Sequence, residues 1–191
     1  EYLKYNDIEY VRTLFDNILY RDIIVRYGIR RHREFRELVQ LLVSNISLPV
    51  TFLLLQRSIG FSNSETVKEY MNYLSNAYVF YEMRQYHDSL KKQFRNPRKE
   101  YVNDPAFHNL AGFSNSQNLG RKLENAVFLA LRRKSQQLYS YKGKGECDFV
   151  LFDEKRKPAA IQVCYNLNPE NEARELDGLL EAMNSFGLSE G

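Results

Sequence analysis

The chain has 191 residues, 43% of them apolar and 27% charged, which is the composition of one large folded domain or two small ones and not of a disordered or collagen-like chain. No run approaches the roughly 20 apolar positions of a membrane span, and two cysteines outside any C-x-x-C pair exclude a disulfide scaffold and favour a reducing, cytoplasmic setting. The net charge of +3 divides unevenly: residues 1–100 carry 16 Lys and Arg against 12 Asp and Glu, whereas residues 101–191 carry 11 against 12, so only the front half has a bulk charge that attracts polyanions.

Residues 1–29 read as one or two polar-aromatic helices ending near Gly28. From Glu34 to Ile46, the residues Phe35, Leu38, Val39, Leu42 and Ile46 recur at helical spacing and mark a buried stripe. Pro49 is expected to open a short helix, Val50 to Ile59, closed by Gly60. Ser62 and Glu65 have the spacing of a capping box, and the helix they introduce is expected to bury Val67, Tyr70, Met71, Leu74 and Tyr78. Val79 to Tyr86 and Lys99 to Val102 read as strands around a basic loop that contains Lys91, Lys92, Arg95, Arg98 and Lys99.

Short helices followed by a two-stranded basic hairpin give the order of a winged helix, with residues 62–77 as recognition helix and 86–99 as wing. The stretch Arg84 to Lys99 sums to +5 and Arg21 to Arg36 to +4. Either segment suits phosphate contact, a solvated surface, or docking of another module. The recognition helix is less suited to reading bases: Glu65, Lys68 and Glu69 sum to −1, and only Asn63, Ser64 and Lys68 offer suitable groups near its start.

A second module is expected from Asp104-Pro105 onward. Leu119 to Lys134 reads as a helix with Leu123, Ala126, Val127, Ala130 and Leu131 on its inner face. Three strands follow, Gln137 to Lys142, Cys147 to Phe152 and Ala159 to Tyr165, and then a helix, Glu172 to Phe186, with Leu176, Leu179, Leu180 and Met183 inside and Gly187 after its end. Helix, three strands and helix make this half α/β.

Asp148 lies on the second of these strands and Gln162 and Cys164 on the third, where alternation gives the last two a common face. Glu124 sits at the edge of the preceding helix's apolar stripe. A helix carboxylate, a strand Asp and an acceptor on the next strand suit one divalent cation, which activates water and stabilises a leaving oxyanion. Blander roles are open for each: Glu124 as a solvated flank, Asp148 paired with Arg121, Cys164 as a small buried side chain. Cys147 alternates to the opposite face, so no bond to Cys164 is expected. His32, His87 and His108 follow no ligand spacing.

Glu124, Asp148 within Gly-Glu-Cys-Asp-Phe-Val, and Ile161-Gln162-Val163-Cys164 resemble the pattern of the PD-(D/E)XK nuclease superfamily. From about Arg21 onward the chain resembles the domain of unknown function at the C-terminal end of bacterial and archaeal AAA-type ATPases. The resemblance is carried by Leu19-Tyr20-Arg21-Asp22-Ile23, by Val67 to Leu74, by Asn118-Leu119-Gly120-Arg121-Lys122-Leu123-Glu124-Asn125, and by Glu146 to Val150.

This resemblance implies a helical lead-in over 1–30, a winged helix over 31–103, and a restriction-endonuclease-like α/β domain over 104–191, truncated at its C-terminus. It also implies an ATP-binding P-loop module upstream, since none of the nine glycines here forms a phosphate-binding motif. The starting residue Glu1, with no Met, is expected for a fragment. Carried over, Glu124 is the helix acid, Asp148 and Gln162 are the ligands of Mg2+ or Mn2+, and Cys164 stands where the family has its catalytic Lys. A thiol supplies no positive charge to a developing phosphorane, so a degenerate, DNA-associated site is the first expectation. An active metal-dependent nuclease and a protein-interaction module of the ATPase are the alternatives. Lys68, Lys91, Lys92, Arg95, Arg98 and Lys99 are the expected DNA contacts, and no membrane association is expected.

Overall fold

A computed structural model describes residues 7–111 and 118–191. The first six residues of the expected lead-in lie outside the described residues. The chain is mixed α/β, and its strands form a six-stranded sheet in the order β1-β3-β2-β4-β5-β6, where β1 is Pro49–Val50, β2 Phe80–Gln85, β3 Arg98–Val102, β4 Gln137–Lys142, β5 Glu146–Phe152 and β6 Pro158–Ile161. β2 runs parallel to β4, and β4, β5 and β6 are successively antiparallel. The described residues divide into two compact units, one comprising 7–82 and 100–111, the other 83–99 and 118–191.

The first unit is helical. α1, Ile8–Asn17, is capped by the Asp7 carboxylate, which accepts from the backbone of Glu9 and Tyr10. It continues through a π-helical stretch, Ile18–Val25, and the chain turns at Gly28 with φ +63°. α2, His32–Ser44, buries the stripe expected of it, Phe35, Leu38, Val39 and Leu42, and Ile46 is buried just beyond.

The next turns differ from expectation. Pro49 and Val50 are extended, and α3, Phe52–Ile59, starts only after Thr51, whose hydroxyl accepts from the Leu54 backbone N–H. α4, Ser64–Asn76, is capped by Asn63 and not Ser62, because the Asn63 amide oxygen reaches the Thr66 N–H at 2.9 Å. Val67, Tyr70, Met71 and Leu74 are buried, but Tyr78 lies past the helix at φ +54° and is exposed. Asp104 caps a short helix, α6, Pro105–His108, whose Phe107 packs on Phe15.

In the second unit the expected wing contains a short helix, α5, Leu90–Arg95. α7, Asn118–Arg132, turns a different face inward than its apolar residues suggest: Asn125 and Phe128 are buried, while Leu119 and Leu123 are exposed. α8, Glu172–Phe186, has the expected bounds and ends at Gly187 with φ +66°. Its inner face is centred on Gly178 and Ala182, leaving Leu176 and Leu180 exposed. The cause is close packing: a Cβ on Gly178 would stand 2.0 Å from the Glu146 carbonyl oxygen, so the helix lies on β5 along its smallest residues. At the β4–β5 turn, the Glu181 carboxylate accepts from the backbone N–H of Lys144 and Gly145 at 2.9 and 2.6 Å. Tyr86, Tyr139, Phe152 and Phe186 form an aromatic cluster of this unit.

Candidate functional site

Strand alternation turns Glu146 and Asp148 of β5 to one face and Cys147 to the other. α7 places Glu124 against that face, and β3 contributes Lys99, a buried side chain. The Lys99 Nζ stands 3.0 Å from Asp148 Oδ1, 3.1 Å from Glu124 Oε1 and 3.2 Å from Glu146 Oε1. Burial alone would lower the Lys99 pKa, but Glu124, Asp148 and Glu146 outweigh it and hold the ammonium above its usual range. Burial likewise favours the neutral form of Glu146, and Lys99 and then Lys142 overcome it, so this carboxyl is held below its usual range.

Asp148 is clasped to the two residues that follow β6, Gln162 and Val163. β6 ends at Ile161, short of the expected strand, and side chains continue the pairing: Gln162 Oε1 accepts from the Asp148 N–H at 3.0 Å, and Asp148 Oδ2 accepts from the Val163 N–H at 3.1 Å. The Gln162 amide also donates to Glu175. Because the strand stops, the alternation expected to group Cys164 with Gln162 does not extend to it, and the Cys164 sulfur accepts from Asn171 Nδ2 at 3.9 Å. Both cysteines are free thiols. Cys147 is buried, its sulfur directed at the carbonyls of Phe149 and Ile161, and burial pushes its pKa up to about 11.

Among the expected nucleic-acid contacts, Lys91, Lys92 and Arg95 lie exposed on α5. Lys68 is exposed on α4, paired with Glu65 at 2.7 Å and held over the Phe52 ring. Arg98 and Lys99 are buried on β3; Arg98 donates to the Phe94 carbonyl, and Lys99 belongs to the carboxylate cluster. The one hint of this in the sequence is that Lys99 opens the expected strand. Glu146 was legible in principle, since a residue two positions from Asp148 on a strand shares its face.

The arrangement does not fit the divalent cation that the nuclease pattern implies. One Asp148 oxygen faces an ammonium and the other a backbone N–H, and the Gln162 carbonyl oxygen is taken by another N–H. Among the described residues, no group of three or more His, Cys, Asp or Glu side chains is disposed to hold a metal ion. Among the described residues, no helix is long and apolar enough to cross a membrane.

The family model of a domain of unknown function, DUF8612, matches residues 1–117. The chain belongs to the DUF8612 family. It is 33% identical to the uncharacterized protein MJ1544 of Methanocaldococcus jannaschii over 189 residues, covering 94% of this chain and 42% of that protein. It is 26% identical to an uncharacterized protein of Haemophilus influenzae over 179 residues, covering 91% of this chain and 44% of that one. This DUF8612 chain therefore spans less than half the length of these relatives. No solved structure matches it.

Proposed function

We propose that this chain is an accessory region of an AAA-type ATPase that engages nucleic acid without cleaving it. Lys99 links Glu124 to Asp148, and each side-chain oxygen of Asp148 and Gln162 is committed to Lys99 or to a backbone N–H group. That commitment is the observation that carries the reading. A winged-helix character of the first part is supported by the order α2, β1, α3, α4, β2, β3 and the neighbour order β1-β3-β2. Nucleic-acid association is supported by the exposed Lys91, Lys92 and Arg95 on one short helix.

The test is fluorescence anisotropy with duplex, branched and single-stranded DNA at low salt, alongside a cleavage assay in Mn2+. Binding without cleavage is the expected result, and absence of binding to all three DNAs overturns the reading. The second reading, an active nuclease, draws on Lys99 as the source of the positive charge that Cys164 lacks. It requires Mn2+-dependent cleavage that disappears in Asp148→Asn and in chelator.

A further inference from the structure

We propose that the Lys99 ammonium is the resident cation of the carboxylate site and stands in for a divalent metal ion. This rests on the nuclease-like reading of Glu124, Asp148 and Gln162, but not on whether nucleic acid binds.

An ammonium has three N–H donors and no acceptor. Here the ammonium donates to Glu124 at 3.1 Å and to Asp148 at 3.0 Å, and it is ion-paired with a third carboxylate, Glu146, at 3.2 Å. The acceptors come from a helix and a strand, and the cation reaches them from a strand that precedes both in the chain. A lysine used to stabilise a phosphorane needs a hydrogen aimed at the phosphate and a path to solvent. Enclosed by three carboxylates and with its side chain only 5% exposed, Lys99 is turned away from solvent and toward the acids. The oxygens a metal would take, on Asp148 and Gln162, are filled by Lys99 and the backbone N–H groups of Val163 and Asp148. The raised Lys99 pKa keeps the charge in place at neutral pH. Removing the ammonium takes the shared cation from Glu124, Glu146 and Asp148, while Lys142 still stands 3.4 Å from Glu146. The carboxylates are relieved either by binding an external cation or by taking up a proton.

The experiment compares the full chain with Lys99→Met by thermal denaturation, with and without Mn2+, and titrates the full chain with Mn2+ by electron paramagnetic resonance. Wild type is expected to bind no stoichiometric Mn2+ and to keep its Tm in chelator. Lys99→Met is expected to melt lower, to regain about 4 °C or more at saturating Mn2+, and to be more stable at pH 5 than at pH 7. Adding Glu124→Gln to Lys99→Met is expected to remove part of the Mn2+ dependence. If Lys99→Met does not fold, the wild-type titration decides: one tightly bound Mn2+ that is lost in Asp148→Asn overturns the proposal, and its absence supports it. A Lys99→Met protein as stable as wild type and indifferent to Mn2+ also overturns it. The DNA-binding result is independent of all these outcomes.

Discussion

The Lys99 ammonium lies 3.0 Å from Oδ1 of Asp148, 49 residues further along the chain, and the second oxygen of the same carboxylate ties down the backbone of Val163. One side chain thus closes a charge and a strand edge together. Asp148→Asn keeps an acceptor for Val163 but removes the charge opposite Lys99. Loss of one partner of a buried pair costs about 3–5 kcal/mol, and the remaining Glu124 and Glu146 place this substitution toward the low end. Urea denaturation checks it; an unchanged midpoint refutes the pairing as a source of stability.

Acid is expected to destabilise the second unit through Glu146. Its pKa is lower folded than unfolded, so its contribution is present above the unfolded value of about 4.3 and is lost as pH falls through the folded value. Lys99 has the opposite sign: raised on folding, its contribution is complete below about 10.4 and disappears only as pH climbs through the folded value. Between these limits the pair leaves stability flat. Urea midpoints from pH 3 to 7 measure the acid limb, and Glu146→Gln is expected to make it shallower.

Gly178→Ala sets two effects against each other. Alanine is the better helix former by about 1 kcal/mol. Its methyl group would meet the Glu146 carbonyl oxygen at 2.0 Å, which forces α8 off β5. Overpacking of this kind costs about 1–3 kcal/mol, so a net loss is expected. A raised Tm in the variant would show that the helix has room to move.

Charge reversal of Lys91, Lys92 and Arg95 together is expected to weaken DNA binding and to flatten its salt dependence. Each lost phosphate contact reduces the slope of log K against log salt by about 0.9 on duplex DNA. Lys68→Glu, on α4 with its existing Glu65 partner, is expected to change the slope far less. Equal effects from both would point to net charge alone.

Much of the fold could be read from local pattern. α2 and α4 follow from 3.6-residue periodicity, and their stripes are buried as spaced. α8 was legible in its bounds but not in its inner face, because a leucine-rich stripe outweighs a glycine in any count of hydrophobicity, whereas packing distance favours the glycine. α7 failed the same way: Asn125 is buried while Leu123 is exposed, an outcome set by tertiary partners. Of the candidate site, Glu124 and Asp148 were legible as a pair. Lys99 was not, since nothing local to Arg98-Lys99-Glu100 separates a strand lysine beside distant carboxylates from a lysine in a basic loop.

Cys147 lends the protein a built-in clock. Its thiol is buried, and its pKa near 11 leaves almost no thiolate at neutral pH, so alkylating reagents reach it only when β5 parts from its neighbours. Cys164, half-buried and outside the sheet, is expected to label first. The lag between the two labels then reports how often the centre of the second unit opens, read from two native atoms without any added probe.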